Sequence, residues 1–120
     1  MVYNWQKDKM KKAFLILLLT IVTLIASAIP SGSYYSMGRR GNIRYDSLHM
    51  TIFNGTLHMV EPDGTITLRW EILGESYDSE NNVTWLSLGK NEAGVSARAY
   101  WWNEDGKTYL TVNNTTFVLK

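Results

Sequence analysis

Cysteine is absent from this 120-residue chain. Its absence excludes disulfides, zinc-thiolate sites, thiol catalysis and lipid attachment through a cysteine. Small domains in oxidising compartments usually depend on disulfides. A small exported domain without them is held together by its core alone, or by assembly with copies or partners.

The chain also lacks an excess of either sign of charge. The chain has 12 Lys or Arg against 11 Asp or Glu, a formal net charge of +1. From Pro30 onward there are 8 basic and 10 acidic residues, which gives 8 − 10 = −2. Arg39, Arg40 and Arg44 form one short basic group, which is too little for a nucleic-acid surface. We therefore expect no nucleic-acid partner.

Recognisable catalytic motifs are missing as well. The sequence contains no G-x-S-x-G, no H-E-x-x-H, no phosphate loop and no dinucleotide fingerprint. His49 and His58 fall on the same face of a predicted hairpin, but no third metal ligand is evident beside them. The sequence thus indicates no catalytic residue, no cofactor and no metal site, and we expect a protein that is not an enzyme.

One long hydrophobic run contrasts with these absences. Ala13 to Ile29 is 17 residues without a charge; four lysines precede it and Pro30 follows it. A helix of this length is about 25 Å long, close to the roughly 30 Å of a bilayer's hydrocarbon core. The run predicts a helix in contact with a membrane at least during export, with residues 1–12 in the cytoplasm and everything after Pro30 outside the cell or on its surface.

Three interpretations of this leader stay open. Ala26 to Ala28 has the small-x-small pattern of a cleaved secretory signal. The uncharged run exceeds the usual signal core of about 7 to 15 residues, which favours an uncleaved transmembrane anchor. Lys12 to Leu15 resembles the processing site of archaeal prepilins, which implies a pilin-like filament subunit. The mass of the mature protein distinguishes them, since cleavage removes 28 residues, none or 13.

Residues 43–120 are predicted to form a small all-β domain, after a linker at residues 30–42. Short alternating runs are separated by the turn dipeptides Asn54-Gly55, Asp63-Gly64, Asp105-Gly106 and Asn113-Asn114. They predict about seven antiparallel strands, as two three-stranded meanders joined by one strand at residues 83–88. Their apolar faces would pack as a sandwich or a flattened barrel. Open sheet edges would let copies or partners complete the fold by adding strands or by packing aromatic faces.

The turns also predict strand register. Asn54-Gly55 pairs Ile52 with Leu57, and a two-residue loop at Asp63-Gly64 pairs Met59 with Leu68. Which side chains of residues 83–88 point into the core stays open, because large apolar side chains occupy both sides of this strand. The predicted buried face in the rest of the domain comprises Leu48, Met50, Ile52, Leu57, Met59, Ile66, Leu68, Trp70, Ile72, Val95, Ala97, Ala99, Trp101, Leu110, Val112, Phe117 and Leu119.

Four sequons for N-glycosylation begin at Asn54, Asn82, Asn113 and Asn114. All of them fall at turns or strand starts of the exported part, where a glycan can be accommodated. Asparagine is also favoured in such turns for conformational reasons. We expect modification of at least one of the four, if the organism glycosylates.

Tyr100, Trp102 and Tyr109 are predicted on the outer face of the second meander, near Arg98. Such aromatic residues can pair across strands for stability, form a protein interface, or provide a carbohydrate platform. We expect a non-enzymatic secreted or cell-surface module that acts in adhesion or assembly, with a second copy or a surface protein as partner. A pilin-like subunit and a soluble carbohydrate-binding domain are the alternatives.

Overall fold

The computed structural model describes residues 28–120, which form an all-β domain. Within this part of the chain there is no helix, and so none long and apolar enough to cross a bilayer. The predicted helix at residues 13–29 lies outside the described residues, apart from its last two positions. The strands are β1 (Gly32–Ser36), β2 (His49–Phe53), β3 (Thr56–Val60), β4 (Ile66–Asp78), β5 (Val83–Leu88), β6 (Ala99–Glu104), β7 (Lys107–Val112) and β8 (Thr115–Leu119).

The eight strands form a closed antiparallel barrel. Each strand pairs with the next in sequence, and β8 returns to pair with β1 through Tyr34↔Leu119, Tyr35↔Val118 and Ser36↔Phe117. The all-β prediction is confirmed, whereas the count of about seven strands was one too low. Every strand of the described part has two neighbours, so none of them is the edge strand that the sequence led us to expect.

Strand β1 lies in the segment that the sequence predicted to be a linker, residues 30–42. The Gly-Ser-Tyr-Tyr-Ser composition of β1 lacks the apolar alternation by which the other strands are recognised. Tyr34 is nevertheless completely buried. Gly32 has a φ of 142°, and a Cβ there would lie 2.8 Å from Cδ1 of Leu119. Glycine therefore permits the close approach of β1 to the last strand.

The two-residue turns set the register as predicted. Asn54-Gly55, Asp105-Gly106 and Asn113-Asn114 all have positive φ at both central residues, which suits the right-handed twist of the strands that they connect. The resulting partners include Ile52↔Leu57, Trp101↔Leu110 and Leu110↔Phe117.

The turn between β3 and β4 differs from the predicted two-residue loop. The N–H of Glu61 donates to the carbonyl of Thr65 at 2.8 Å, which leaves Pro62 to Gly64 as a three-residue turn. In the predicted loop, Pro62 would have paired with Thr65 to close the ladder. Proline has no N–H to donate in such a pair.

A β-bulge compensates for this longer turn. Met59 pairs with Leu68 as predicted, while Val60 pairs with Ile66, so Thr67 is the extra residue. The bulge keeps Leu68 on the inner face but reverses the direction in which the side chain before Thr67 points. Ile66 is consequently 45% exposed, and the prediction that it is buried was wrong.

The predicted strand start at Val95 was also wrong, because β6 begins at Ala99 and Val95 is exposed. Side chains take up the backbone groups of Val95. Its N–H donates to Oδ1 of Asn91 at 2.8 Å, and its carbonyl accepts from Nε1 of Trp70 at 3.0 Å. A backbone segment whose N–H and C=O groups already form hydrogen bonds with side chains gains little from pairing with another strand.

The barrel interior contains the hydrophobic core. Trp70, Tyr34, Leu57 and Leu110 are the largest fully enclosed side chains. In β5, whose facing the sequence left open, Thr84 and Leu86 are buried and Trp85 faces outward. The other core members are Met50, Ile52, Ala99, Trp101, Val112 and Phe117, with Leu48, Met59, Leu68, Ile72, Ala97 and Leu119 packed against them.

Two polar side chains anchor the segment that precedes β1. Glu75 accepts hydrogen bonds from Nε1 of Trp101 at 2.6 Å and from the N–H of Ile29 at 3.1 Å. The hydroxyl of Tyr34 donates to the carbonyl of Pro30 at 2.6 Å. Burial, and secondarily the negative charge of Glu75, raises the pKa of Tyr34 well above its ordinary value. The start of the described chain is thereby fixed to the barrel core.

We predict that Leu110→Ala lowers the free energy of unfolding by about 2 to 5 kcal/mol, because Leu110 is fully buried and its truncation leaves a cavity. Leu73→Ala is the matched control, since Leu73 is 65% exposed and its truncation should change the free energy by no more than about 0.5 kcal/mol. Urea denaturation at equal m-values measures both, and equal losses for the two variants would contradict the core described here.

Candidate interaction surface

Strands β5, β6 and β7 are neighbours, and their outward positions carry aromatic side chains. Trp85 of β5 is directly opposite Tyr100 of β6, and Trp102 of β6 is directly opposite Tyr109 of β7. Tyr100 and Trp102 share a face because side chains two residues apart in a strand point the same way. We call these four residues the aromatic strip.

The rings of the aromatic strip form a continuous series. Centroid distances are 4.8 Å between Trp85 and Tyr100, 5.8 Å between Tyr100 and Trp102, and 5.3 Å between Trp102 and Tyr109. The Trp102 and Tyr109 planes differ by only 16°. Arg98 extends the series, since its Cζ lies 5.1 Å from the Trp85 ring centroid. Neighbouring rings thus cover part of each other's faces, and all four residues are half-buried.

The structure brings together all four residues that the sequence named for this surface, namely Arg98, Tyr100, Trp102 and Tyr109. Sequence reasoning missed Trp85, because the facing of its strand could not be fixed. A polar residue, Thr84, occupies one of the inward positions of β5 and obscures the alternation. The signal that identifies Trp85 is its pairing with Tyr100, which is a tertiary contact.

Two adjoining pockets follow the aromatic strip. One has a volume of about 520 Å³ and lies against Trp85, Arg98 and Tyr100; the other has a volume of about 440 Å³ and lies against Tyr100 and Trp102. Both share Tyr100, so they form one shallow groove. The polar lining consists mainly of asparagine side chains, those of Asn81, Asn82, Asn103, Asn113 and Asn114, together with Glu104.

Hydrogen bonds fix the asparagines at one end of the groove. Oδ2 of Asp78 accepts from Nδ2 of Asn81 at 2.8 Å, and Oδ1 accepts from the N–H groups of Glu80 and Asn81. The side-chain bond from Asn81, followed by its backbone bond, lowers the pKa of Asp78. Asn82 accepts from the Tyr77 hydroxyl at 2.6 Å. This rim is therefore organised before any ligand arrives.

Asn113 connects the other end of the groove to Arg98. Its Oδ1 accepts from the N–H of Arg98 at 2.9 Å, and its own N–H donates to the Arg98 carbonyl at 2.9 Å. This pair of bonds holds the backbone of Arg98 beside the first residue of β6. Because its backbone is held there, Arg98 places its guanidinium group at the end of the aromatic strip.

The four asparagines of the sequons are exposed and have positive φ: Asn54 49°, Asn82 53°, Asn113 47° and Asn114 72°. Asparagine tolerates this left-handed conformation better than most residues, which accounts for its presence at these turns. N-glycosylation stays a prediction. Because Asn82, Asn113 and Asn114 line the groove, a glycan on any of them would lie beside the aromatic strip.

The two histidines have separate surroundings. The ring of His49 stacks on Tyr35 at 4.7 Å, while Nδ1 of His58 lies 3.4 Å from the carbonyl oxygen of Thr51. Among residues 28–120, no group of three His, Asp or Glu side chains is placed to hold a metal ion.

Comparison with known proteins adds no family to this description. The chain was compared with protein-family models, with curated proteins and with solved structures, and none of them matches. The role of the surface is therefore inferred from its own side chains.

We predict that Trp102 and Tyr109 stabilise each other by about 0.5 to 1.5 kcal/mol in a double-mutant cycle with alanine, because their rings are stacked across the β6/β7 ladder. Thermal or urea unfolding of the four proteins of the cycle measures this coupling. A control cycle of Trp102 with Phe53, on β2, should be additive within about 0.5 kcal/mol. Additivity in the Trp102/Tyr109 cycle as well would contradict the observed stacking.

Proposed function

We propose that this protein is a non-enzymatic module, secreted or at the cell surface, that acts in adhesion or assembly by binding a protein partner through the aromatic strip. The observation that supports this most is the continuous series of four half-buried, outward-facing rings flanked by Arg98. Tryptophan, tyrosine and arginine are the residue types that contribute most to the affinity of protein interfaces.

The composition of the strip and its rim suits a protein interface. Side-by-side rings lose little conformational freedom on binding, since each is already held by its neighbour. The asparagine amides of the groove offer donors and acceptors around this apolar centre, an arrangement typical of an interface core with a polar rim. Together they supply shape, apolar area and hydrogen bonding on one face of the barrel.

The sequence led us to expect assembly by strand addition or by packing of aromatic faces, and we propose the second route. Each described strand has a hydrogen-bonded neighbour on both sides, so strand addition has no edge strand to use there. Contacts between side chains are the other route, and the aromatic strip is the longest series of ring contacts among the described residues. A second copy of the chain and a different surface protein are both partners of this kind.

Export is supported by the charge and hydropathy of the leader. Lysines precede an uncharged run of 17 residues, a pattern that directs the following domain to the outside. Because β1 begins at Gly32, an uncleaved leader would leave only Pro30 and Ser31 as a tether. In the anchored form the barrel would therefore stand against the bilayer surface.

A carbohydrate ligand is the second candidate. The asparagine-lined groove beside the rings favours it, since amides bind sugar hydroxyl groups and aromatic rings pack against sugar C–H groups. The stacking within the strip argues against it, because neighbouring rings occupy the faces on which a sugar would lie. The pilin-like alternative is supported by the resemblance at Lys12 to Leu15.

We predict that the combined substitution Tyr100→Ala, Trp102→Ala weakens association between copies of the chain at least about 30-fold in Kd, because truncation at an interface centre typically costs 2 kcal/mol or more. Sedimentation velocity over a concentration series measures this. Phe53→Ala and Leu73→Ala are controls, since both side chains are exposed on β2 and β4 and should leave the affinity unchanged.

A second measurement covers a different surface protein. A photo-crosslinking amino acid at Tyr109 should form a covalent product with a protein on intact producing cells, and one at Phe53 should not. If neither association nor crosslinking depends on the strip, the protein interface is wrong. If a glycan array instead shows binding that the double substitution abolishes, the carbohydrate alternative replaces it.

A further inference from the structure

We propose that the leader is removed between Ala28 and Ile29 and that the new amino terminus of Ile29 is bound by the carboxylate of Glu75. Glu75 would then be a binding site for the protein's own terminus, created by processing. The inference shares with the proposed function only the export of the chain, and it does not depend on the aromatic strip.

The sequence places the cut next to the residue that Glu75 contacts. Ala26 and Ala28 are the small residues that a secretory signal peptidase accepts, so Ile29 is the first residue after the cut. In the structure the backbone nitrogen of Ile29 is 3.1 Å from Oε2 of Glu75. Two independent observations, a peptidase pattern and a carboxylate contact, therefore converge on one peptide bond.

Among residues 28–120, the hydrogen-bond donors to the Glu75 carboxylate carry no charge. Glu75 is half-buried and is directly opposite the buried Leu86, so its side chain points into the barrel. Its two hydrogen bonds in the structure come from neutral donors, the indole of Trp101 and the amide of Ile29. A partly desolvated carboxylate is better stabilised by a cation than by neutral donors.

Hydrolysis supplies that cation. Water adds across the Ala28–Ile29 peptide bond, so that the carbonyl carbon of Ala28 takes the hydroxyl group and the nitrogen of Ile29 takes the hydrogen. The released amine binds one more proton at neutral pH, because an α-amino group has a pKa of about 8. In the folded product, an ammonium group with three N–H donors therefore takes the position that the neutral amide donor of Ile29 has beside Glu75 in the uncut chain.

The neighbouring contacts hold Ile29 in place after the cut. Its side chain packs against the hydrophobic core, and the next carbonyl, that of Pro30, accepts the hydrogen bond from the buried Tyr34. Ala28, on the leaving side, is exposed. The chain is therefore anchored on the side of the cut that remains with the domain. Since the peptidase acts on an unfolded substrate, the terminus is seated when the barrel closes.

The test begins with the full-length chain expressed in a bacterium that has a secretory signal peptidase. Intact mass and terminal sequencing of the purified product should show a chain that starts at Ile29. A product that starts at any other residue, including Met1 or Phe14, would overturn the proposal.

The role of Glu75 is measured on that product with Glu75→Gln and, as matched control, Glu71→Gln. Glu71 is an exposed carboxylate on the same strand, and glutamine at position 75 can still accept the hydrogen bond of Trp101, so both variants should fold. We expect Glu75→Gln to lower Tm by roughly 5 to 10 °C, and Glu71→Gln by no more than about 2 °C.

The second measurement is the rate at which an amine-reactive ester, added in limiting amount at neutral pH, acylates the amino terminus. A purely structural role of Glu75 would not change this rate. The ammonium group of the unsubstituted protein should react at least about ten times more slowly than that of Glu75→Gln, because the carboxylate keeps it protonated and covered. Equal rates in the two proteins would overturn the assignment of Glu75, whatever their Tm values.

Discussion

Closure of the sheet by β1 and β8 is the constraint on which the rest of the structure depends. A domain of this size buries only a modest fraction of its surface, and without cysteine it has no covalent crosslink. Joining the first and last strands gives every strand of residues 28–120 two hydrogen-bonded neighbours and encloses the core. Two small details permit the closure, namely the glycine at position 32 and the buried ring of Tyr34.

Closure also determines where function can be located. It leaves no edge strand among residues 28–120, and three adjacent strands carry the aromatic strip on the outer face. At the same time it brings Glu75 of β4 to Trp101 of β6 and to Ile29, the residue before the first proline. The start of the domain and its core are thus connected through one carboxylate.

Local sequence signals predicted much of this fold. Three turns with left-handed asparagine, aspartate or glycine pairs, combined with alternation, gave the correct partners in three hairpins and the correct outward positions of Tyr100, Trp102 and Tyr109. The predictions were wrong at positions whose structure depends on residues that are distant in the sequence or on the local irregularity of a bulge. Thr67 forms a bulge that reverses Ile66, the Trp70 indole takes the Val95 carbonyl, and β1 is a strand only because β2 and β8 are beside it. Trp85 was missed for the same reason, since its partner Tyr100 is on another strand.

Amide hydrogen exchange of the purified protein, followed residue by residue by NMR, tests closure most directly. If β1 and β8 close the barrel, their backbone amides should exchange at rates within about a factor of ten of those in β3, and all should open together with global unfolding. If the amides of β1 exchange like those of an exposed loop while β3 stays protected, the barrel is open, and the account of both the core and the anchored amino terminus is contradicted.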